Sequence, residues 1–157
     1  RLRSRFGAAV VETHAHRGDH TAVVTRDALL PALAYCRDEP ALAFDMLMDL
    51  TAVDDLKFPG REDGPRFEVV YHLYSVAHNH RLRVKVRVDE DDAVVPTATG
   101  LWPIADWFER EVWDMFGVRF AGHPDLRRLL LYEEFVGHPL RKDYPIDRRQ
   151  PLIGPQA

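Results

Sequence analysis

The chain has 157 residues, of which 46% are hydrophobic and 29% charged, and its formal net charge is −4. This length and composition are typical of one soluble globular domain, and the acidic balance gives no reason to expect nucleic-acid binding. No apolar run approaches the ~20 residues that a membrane-spanning helix needs, and the first residues do not resemble a signal peptide.

Several classes of chemistry lack the residues that they require. Cys36 is the only cysteine, which excludes an internal disulfide, a cysteine zinc site and an iron–sulfur cluster held by this chain alone. The glycines form neither G-x-G-x-x-G nor a P-loop. Neither Ser4 nor Ser75 lies in a nucleophile elbow. The sequence therefore carries no familiar motif for nucleotide binding or for nucleophilic catalysis.

The first third of the chain predicts a strand, a helix and a second strand. Residues 20–25 (HTAVVT) are typical of a short strand, and Asp27 is in position to cap a helix over residues 28–39. Residues 48–53 are the strand that we expect next, although the apolar run that contains them is ambiguous. Residues 57–65 (KFPGREDGP) form a polar, turn-rich loop.

A β-hairpin is predicted by two alternating segments, RFEVVYHLYSV at residues 66–76 and RLRVKVRV at residues 81–88. Pairing Val76 with Arg81 gives one wholly apolar face, on which Val69, Tyr71 and Leu73 lie opposite Val88, Val86 and Val84. The other face carries a basic row, Arg81, Arg83, Lys85 and Arg87. An acidic run follows at once, so we interpret the row as a solvated sheet face and not as a phosphate-binding patch.

Residues 103–116 (PIADWFEREVWDMF) predict a helix that ends at Gly117. Two residues break its amphipathic pattern. Glu111 lies inside the apparent apolar stripe, so we expect it to be buried and paired with Arg127, Arg128 or Arg141. Trp113 lies near the opposite side, which suggests a second packed surface. The stripe consists of Ile104, Trp107, Phe108, Val112, Met115 and Phe116.

The sequence Gly-His-Pro occurs twice, at residues 122–124 and 137–139, and each copy leads into a leucine and a basic pair. Arg127-Arg128 follows the first copy and Arg141-Lys142 the second. Periodicity fades after Leu131. We therefore predict one α+β domain over residues 1–136 and an extended, proline-rich docking tail over residues 137–157, ordered only on its partners.

Eight histidines raise the possibility of a metal site. His14, His16 and His20 could form a chelate only if a strand placed two of them on one face and a third ligand arrived. No H-E-x-x-H or other tight ligand spacing occurs. A stand-alone metalloprotein is therefore the weaker alternative.

Three segments in order resemble one family: DLTAVD at residues 49–54, EREVWDMFG at 109–117, and GHPDLRRLL with GHPLRKDYP between residues 122 and 145. The family is the 30 kDa subunit of respiratory complex I, which in bacteria is the C subunit of NADH–quinone oxidoreductase. The resemblance covers residues 48–145. The first 40 residues carry little that is specific.

The resemblance implies a two-layer α+β fold, with a mainly antiparallel sheet, helices on one face and an extended C-terminal tail. It also implies a non-catalytic subunit of the peripheral arm, next to the hydrogenase-like quinone-site subunit and iron–sulfur subunits. No cofactor, metal or catalytic residue is expected on this chain; FMN and iron–sulfur clusters lie on partner subunits. The location implied is the cytoplasmic face of a bacterial membrane, or the matrix side in mitochondria.

The resemblance also suggests which residues matter, and it leaves alternatives open. Relatives of this family serve in membrane-bound hydrogenases and other respiratory complexes, so the electron donor is not fixed. The expected interface residues or structural ion pairs are Glu109, Glu111, Trp113, Arg127, Arg128, Arg141, Lys142 and Tyr144.

Overall fold

A five-stranded sheet with helices against one face is the centre of the structure, a computed structural model that describes residues 1–151. The predicted α+β class is confirmed. The elements in chain order are α1 (Leu2–Phe6), β1 (Val10–His16), β2 (Asp19–Val24), α2 (Leu29–Asp38), β3 (Met46–Asp54), β4 (Phe67–Ser75), β5 (His80–Val88), β6 (Val94–Pro96), α3 (Ala105–Phe116) and β7 (Arg119–Ala121), with 3-10 turns at Gly7–Ala9 and Arg26–Ala28.

The strand order is β1-β2-β5-β4-β3, and all neighbours are antiparallel except β2 and β5, which are parallel. A separate pair of short parallel strands, β6 and β7, lies near α3. The sequence did not predict β1. The reason is its edge position: most of its side chains are exposed, so no apolar alternation marks it.

The β4–β5 hairpin has the predicted faces in a different register. Ser75 pairs with His80 and Val69 with Val86, whereas the sequence pattern predicts Val69 opposite Val88. The shift is two residues, which returns every side chain to the same face. Asn79 in the turn adopts a positive φ of 48°, so β5 begins one residue earlier than expected.

Both main helices pack on the apolar face of this hairpin. Leu33 and Cys36 of α2 and Val112 and Phe116 of α3 join one buried cluster with the inward side chains of β4 and β5. The predicted helix cap is wrong: Asp27 lies inside the 3-10 turn, and no side chain caps α2.

The opposite face of the sheet carries an ion network around Glu68. This carboxylate is buried, and it accepts hydrogen bonds from Lys85, Arg87 and Arg61. Burial raises the pKa of Glu68, but the bond from Lys85 and the two guanidinium groups outweigh it, so the pKa lies below its usual value. Two members of the basic row are thus neutralised within the sheet face.

Candidate functional site

Asp114 organises the surface formed by α3 and the chain that follows it. Its carboxylate is fully buried and accepts a bond from Arg128 at 2.5 Å. It also accepts the backbone N–H groups of Leu129, Leu130 and Leu131, at 3.1, 2.9 and 2.9 Å. Burial alone would raise the pKa of Asp114, but these donors outweigh it and lower the pKa. One carboxylate therefore fixes a whole turn of irregular backbone against the helix.

Arg128 continues this network to the second Gly-His-Pro turn. Besides Asp114, its guanidinium donates to the carbonyls of Phe135 at 2.7 Å and Gly137 at 3.2 Å. It also lies over the rings of Trp113 and Phe135, at 5.7 and 5.6 Å from their centroids. Half-buried Trp113 accordingly packs on a second surface, as expected.

The segment after Gly137 covers the C-terminal end of α3. His138 Nδ1 bonds the carbonyl of Asp114 at 3.0 Å, Leu140 N–H that of Met115 at 3.1 Å, and Arg141 Nε that of Phe116 at 2.6 Å. These are carbonyls that a helix end leaves without partners. The tail therefore provides the end cap of α3.

A glycine allows this close crossing. Gly117 ends α3, as the sequence predicted, and its φ is 79°. A Cβ at this position would lie 2.6 Å from Nη2 of Arg141 and 2.7 Å from the His138 ring. Glycine is therefore needed both for the left-handed backbone and for the space that the tail occupies.

The tail also reaches the end of β3. Asp54 is buried and accepts bonds from Arg66 at 2.9 Å and from the N–H of Lys142 at 2.8 Å. Arg66 donates further to Asp143 at 2.6 Å. Tyr144 stacks on Phe135 at 6.1 Å.

These contacts correct part of the prediction for the tail. Residues 137–151 contact the rest of this chain, for example through His138 and Lys142. The tail is therefore not a separate unit that begins after residue 136. The docking role of the tail stays a prediction, and its last part, residues 152–157, lies outside the described residues.

The expectation for Glu111 is wrong. It is exposed, and within residues 1–151 it forms no ion pair. The buried face of α3 instead carries Ala105, Glu109, Val112 and Phe116. Ile104 and Trp107, which the sequence placed in the buried stripe, are 45% and 54% exposed.

Glu109 is the buried carboxylate of this face, and no arginine pairs with it in the described chain. It accepts the N–H of Ala98 and the hydroxyl of Thr97, both at 2.6 Å. Burial raises its pKa to about 7, with a further contribution from nearby Asp106. His123 Nε2 lies 4.0 Å away.

The remaining basic residues are divided between interior and surface. Arg127 projects to solvent and pairs with Asp125 at 2.7 Å. Buried Arg110, which the sequence did not mark as an interface residue, donates to the carbonyls of Arg127 at 3.2 Å and Arg128 at 3.0 Å. The available signal was its i, i+4 spacing to Asp114, which puts the two side chains on one face of α3.

The segment that follows α3 carries several exposed apolar side chains, which together we call the docking face. Several are more than half exposed, and Ile146 is completely so. A backbone held by buried ion pairs that presents apolar side chains to solvent is typical of a protein interface. Its members are Leu130, Tyr132, Val136, Leu140 and Ile146.

Neither a metal centre nor a membrane helix is found in the part of the chain that the structure describes. No group of three or more metal-binding side chains comes together there; His14 bonds Glu12 at 3.0 Å. No helix in that part is both long and apolar enough to cross a bilayer.

Residues 22–150 match the family described as the respiratory-chain NADH dehydrogenase, 30 Kd subunit. The C subunit of the NADH-quinone oxidoreductase of Acidithiobacillus ferrooxidans is 45% identical over 146 residues, which are 92% of this chain and 72% of that protein. Its counterpart in Citrifermentans bemidjiense is 44% identical over 156 residues, 98% of this chain and 92% of that protein.

Two solved structures are similar as well. The trypsin-resistant fragment (1-134) of Nqo5 superposes with a TM-score of 0.68 at 34% identity, covering 80% of this chain and 98% of that one. A chain of the membrane-bound sulfane sulfur reductase, an archaeal respiratory membrane complex, gives a TM-score of 0.73 at 27% identity, covering 92% and 82%. The chain thus belongs to the family of the 30 kDa subunit of the respiratory-chain NADH dehydrogenase.

Proposed function

We propose that this chain is a non-catalytic structural and assembly subunit of the peripheral arm of a proton-translocating NADH:quinone oxidoreductase. The observation that carries the proposal is the docking face. Asp114 and Arg128 fix its backbone before any partner binds, so the loss of conformational entropy on association is small. Family membership and the names of the relatives support the identity of the complex.

The docking face would contact the hydrogenase-like quinone-site subunit and neighbouring iron–sulfur subunits. In this proposal the partners carry the FMN and the iron–sulfur clusters through which electrons pass from NADH to quinone. The only cysteine supports that assignment: Cys36 is buried in α2, and burial raises its pKa to about 12, which disfavours the thiolate that a cluster needs.

Association with the membrane would then occur only through the complex. The chain would lie on the cytoplasmic face of the membrane in a bacterium and on the matrix side in a mitochondrion. Both locations follow from the proposed place in the peripheral arm.

A second candidate is the equivalent subunit of a related respiratory complex with another electron donor, such as a membrane-bound hydrogenase. The similarity to a chain of the sulfane sulfur reductase supports it. Co-purification from solubilised membranes separates the two, because an NADH-oxidising flavin subunit should be recovered with this chain only under the first proposal.

The docking role is tested by placing charge on the face without touching the buried network. Leu130→Asp with Val136→Asp should leave the far-ultraviolet spectrum of the purified chain unchanged. The same pair should strongly reduce its incorporation into the complex on native gels, since a buried unpaired charge costs several kcal/mol. Val76→Asp, at a residue 61% exposed just after β4 and at the end of that strand away from the tail, is the matched control. Normal assembly of the double variant would place docking elsewhere.

A further inference from the structure

An open groove of about 1100 Å³ lies where β2 and β5 begin. Its floor continues the core face of the sheet, where Ala22 is 3% exposed and Leu82 is partly buried. Leu2 of α1 and Phe44 close its sides and belong to the same buried cluster. Side chains of the buried cluster thus form part of the groove lining.

Positive charge borders the groove. Arg3 lines it from α1, and Arg81 lines it from the start of β5, on the sheet face opposite Leu82; among residues 1–151 neither has a carboxylate partner. The guanidinium of Arg81 lies over the Tyr74 ring, 5.8 Å from its centroid. Asp19 is the single acidic residue of the lining. An excess of unpaired arginine is notable in a chain whose net charge is −4.

The groove is separate from the docking face. β3 and β4 run antiparallel, with Met46 opposite Tyr74 at one end and Asp54 opposite Phe67 at the other. Tyr74 lines the groove, whereas Asp54 holds the tail. The two surfaces therefore lie at opposite ends of the sheet, and each can be altered without the other.

We propose that this groove is a second docking site, which receives an amphipathic acidic segment of another subunit of the complex. Apolar side chains of that segment would cover Leu2, Phe44 and Leu82, and its carboxylates would face Arg3 and Arg81. The inference rests on this chain being a subunit of a larger complex but not on the role of the docking face.

Openness and charge favour a protein segment over a small molecule. Small-molecule sites usually enclose roughly 300–1,000 Å³ and surround most of the ligand. This groove lies at the upper end of that range, and it is open to solvent. An apolar floor bordered by cations matches the way in which grooves bind one apolar face of a helix while charges at the rim set its orientation.

Cross-linking in the intact complex tests the identity of the occupant. A photo-reactive phenylalanine analogue at Thr13, an exposed residue of the lining, should form a covalent bond with another subunit. Mass spectrometry should place that bond in a segment with aspartate or glutamate beside apolar residues. The analogue at Val53, exposed at the other end of β3, is the control. A lipid adduct, a bond within this chain or no bond at all would each overturn the proposal.

Charge reversal tests the role of the rim. Arg3→Glu with Arg81→Glu should make release of this chain from the purified complex by salt roughly tenfold greater, because attraction becomes repulsion. Arg5→Glu, two residues away on the same short helix but outside the groove, should behave as wild type. Equal release in both cases would contradict the inference. If the double variant of Leu130 and Val136 fails to assemble while the double variant of Arg3 and Arg81 behaves as wild type, the docking face is supported and the groove proposal is contradicted.

Discussion

Arg128 and Asp114 form an ion pair at 2.5 Å in which the carboxylate is completely buried and the guanidinium 12% exposed. Asp114 belongs to α3, and Arg128 to the first Gly-His-Pro segment. The same guanidinium binds the carbonyl of Phe135, ahead of the second segment, and that of Gly137, its first residue. Arg128 thus links α3 to both Gly-His-Pro segments.

Removing the Asp114 charge should destabilise the chain strongly. Asp114→Asn leaves Arg128 without its buried counter-charge, and we expect a loss of about 3–5 kcal/mol in the free energy of unfolding, measured by urea titration. Asp125→Asn, which breaks the exposed pair with Arg127, should leave the urea midpoint almost unchanged, because solvent screens such pairs. Similar losses for both variants would show that burial of the pair is not what matters.

Glu109 should make stability depend on pH in a direction opposite to that of most carboxylates. Its pKa in the folded chain is raised to about 7 from 4.5, so folding favours the protonated form. Its contribution is complete below about pH 4.5 and is lost as pH rises through 7. At about 1.4 kcal/mol for each pH unit, the total loss reaches about 3 kcal/mol.

The measurement is the difference between wild type and Glu109→Gln, because the amide imitates the protonated acid. Relative to wild type, the variant should gain up to about 3 kcal/mol between pH 5 and pH 8. The subtraction removes His72 and His138, whose pKa values are lowered first by burial and whose effect on stability has the opposite sign. A difference that stays constant with pH would contradict this assignment.

Gly117→Ala should disturb the tail more than its backbone strain explains. Both Gly117 and Gly60 have positive φ, 79° and 82°, and alanine costs about 1 kcal/mol at such a position. Only at Gly117 would the added methyl also meet the tail, at His138 and Arg141. We expect Gly117→Ala to lower thermal stability more than Gly60→Ala and to speed tryptic cleavage after Lys142. Equal effects of the two variants would show that the tail moves aside freely.

The purified chain should bind no flavin, nicotinamide or iron–sulfur cluster. Its one cysteine is buried, and its glycines form no phosphate-binding loop. An absorption spectrum and an NADH titration are sufficient measurements. A stoichiometric chromophore or saturable NADH binding would overturn the expectation that the cofactors lie on partner subunits.

The sequence predicted which side chains share a face of the β4–β5 hairpin better than it predicted which residues pair across it. Alternation in β4 and β5 identified the buried side chains correctly, because successive side chains of a strand point to opposite faces whatever the pairing partner. The register was wrong by two residues, because it depends on turn geometry at Asn79 and on contacts of His80. That ring stacks on Phe44 at 4.5 Å and bonds the carbonyl of Leu42, which local sequence does not reveal.

The candidate site was harder to predict for a related reason. In α3, two stripes compete: one contains Glu111 with large apolar residues, and the other contains Glu109. The large apolar side chains of the first stripe favoured it as the buried one. In the structure, the hydroxyl of Thr97 and the N–H of Ala98 donate the hydrogen bonds that allow Glu109 to be buried. Those donors lie in the connection before the helix, and no helical periodicity reports them.

The parallel pairing of β2 with β5 joins His20 to Leu82, residues far apart in the sequence. A ribosome adds about 5–20 residues each second, so several seconds pass between synthesis of β2 and synthesis of its neighbour. During that interval Val23 and Val24 of the nascent chain have no sheet to enter. The pair β1 and β2 can therefore join the rest of the sheet only after β5 has been synthesised.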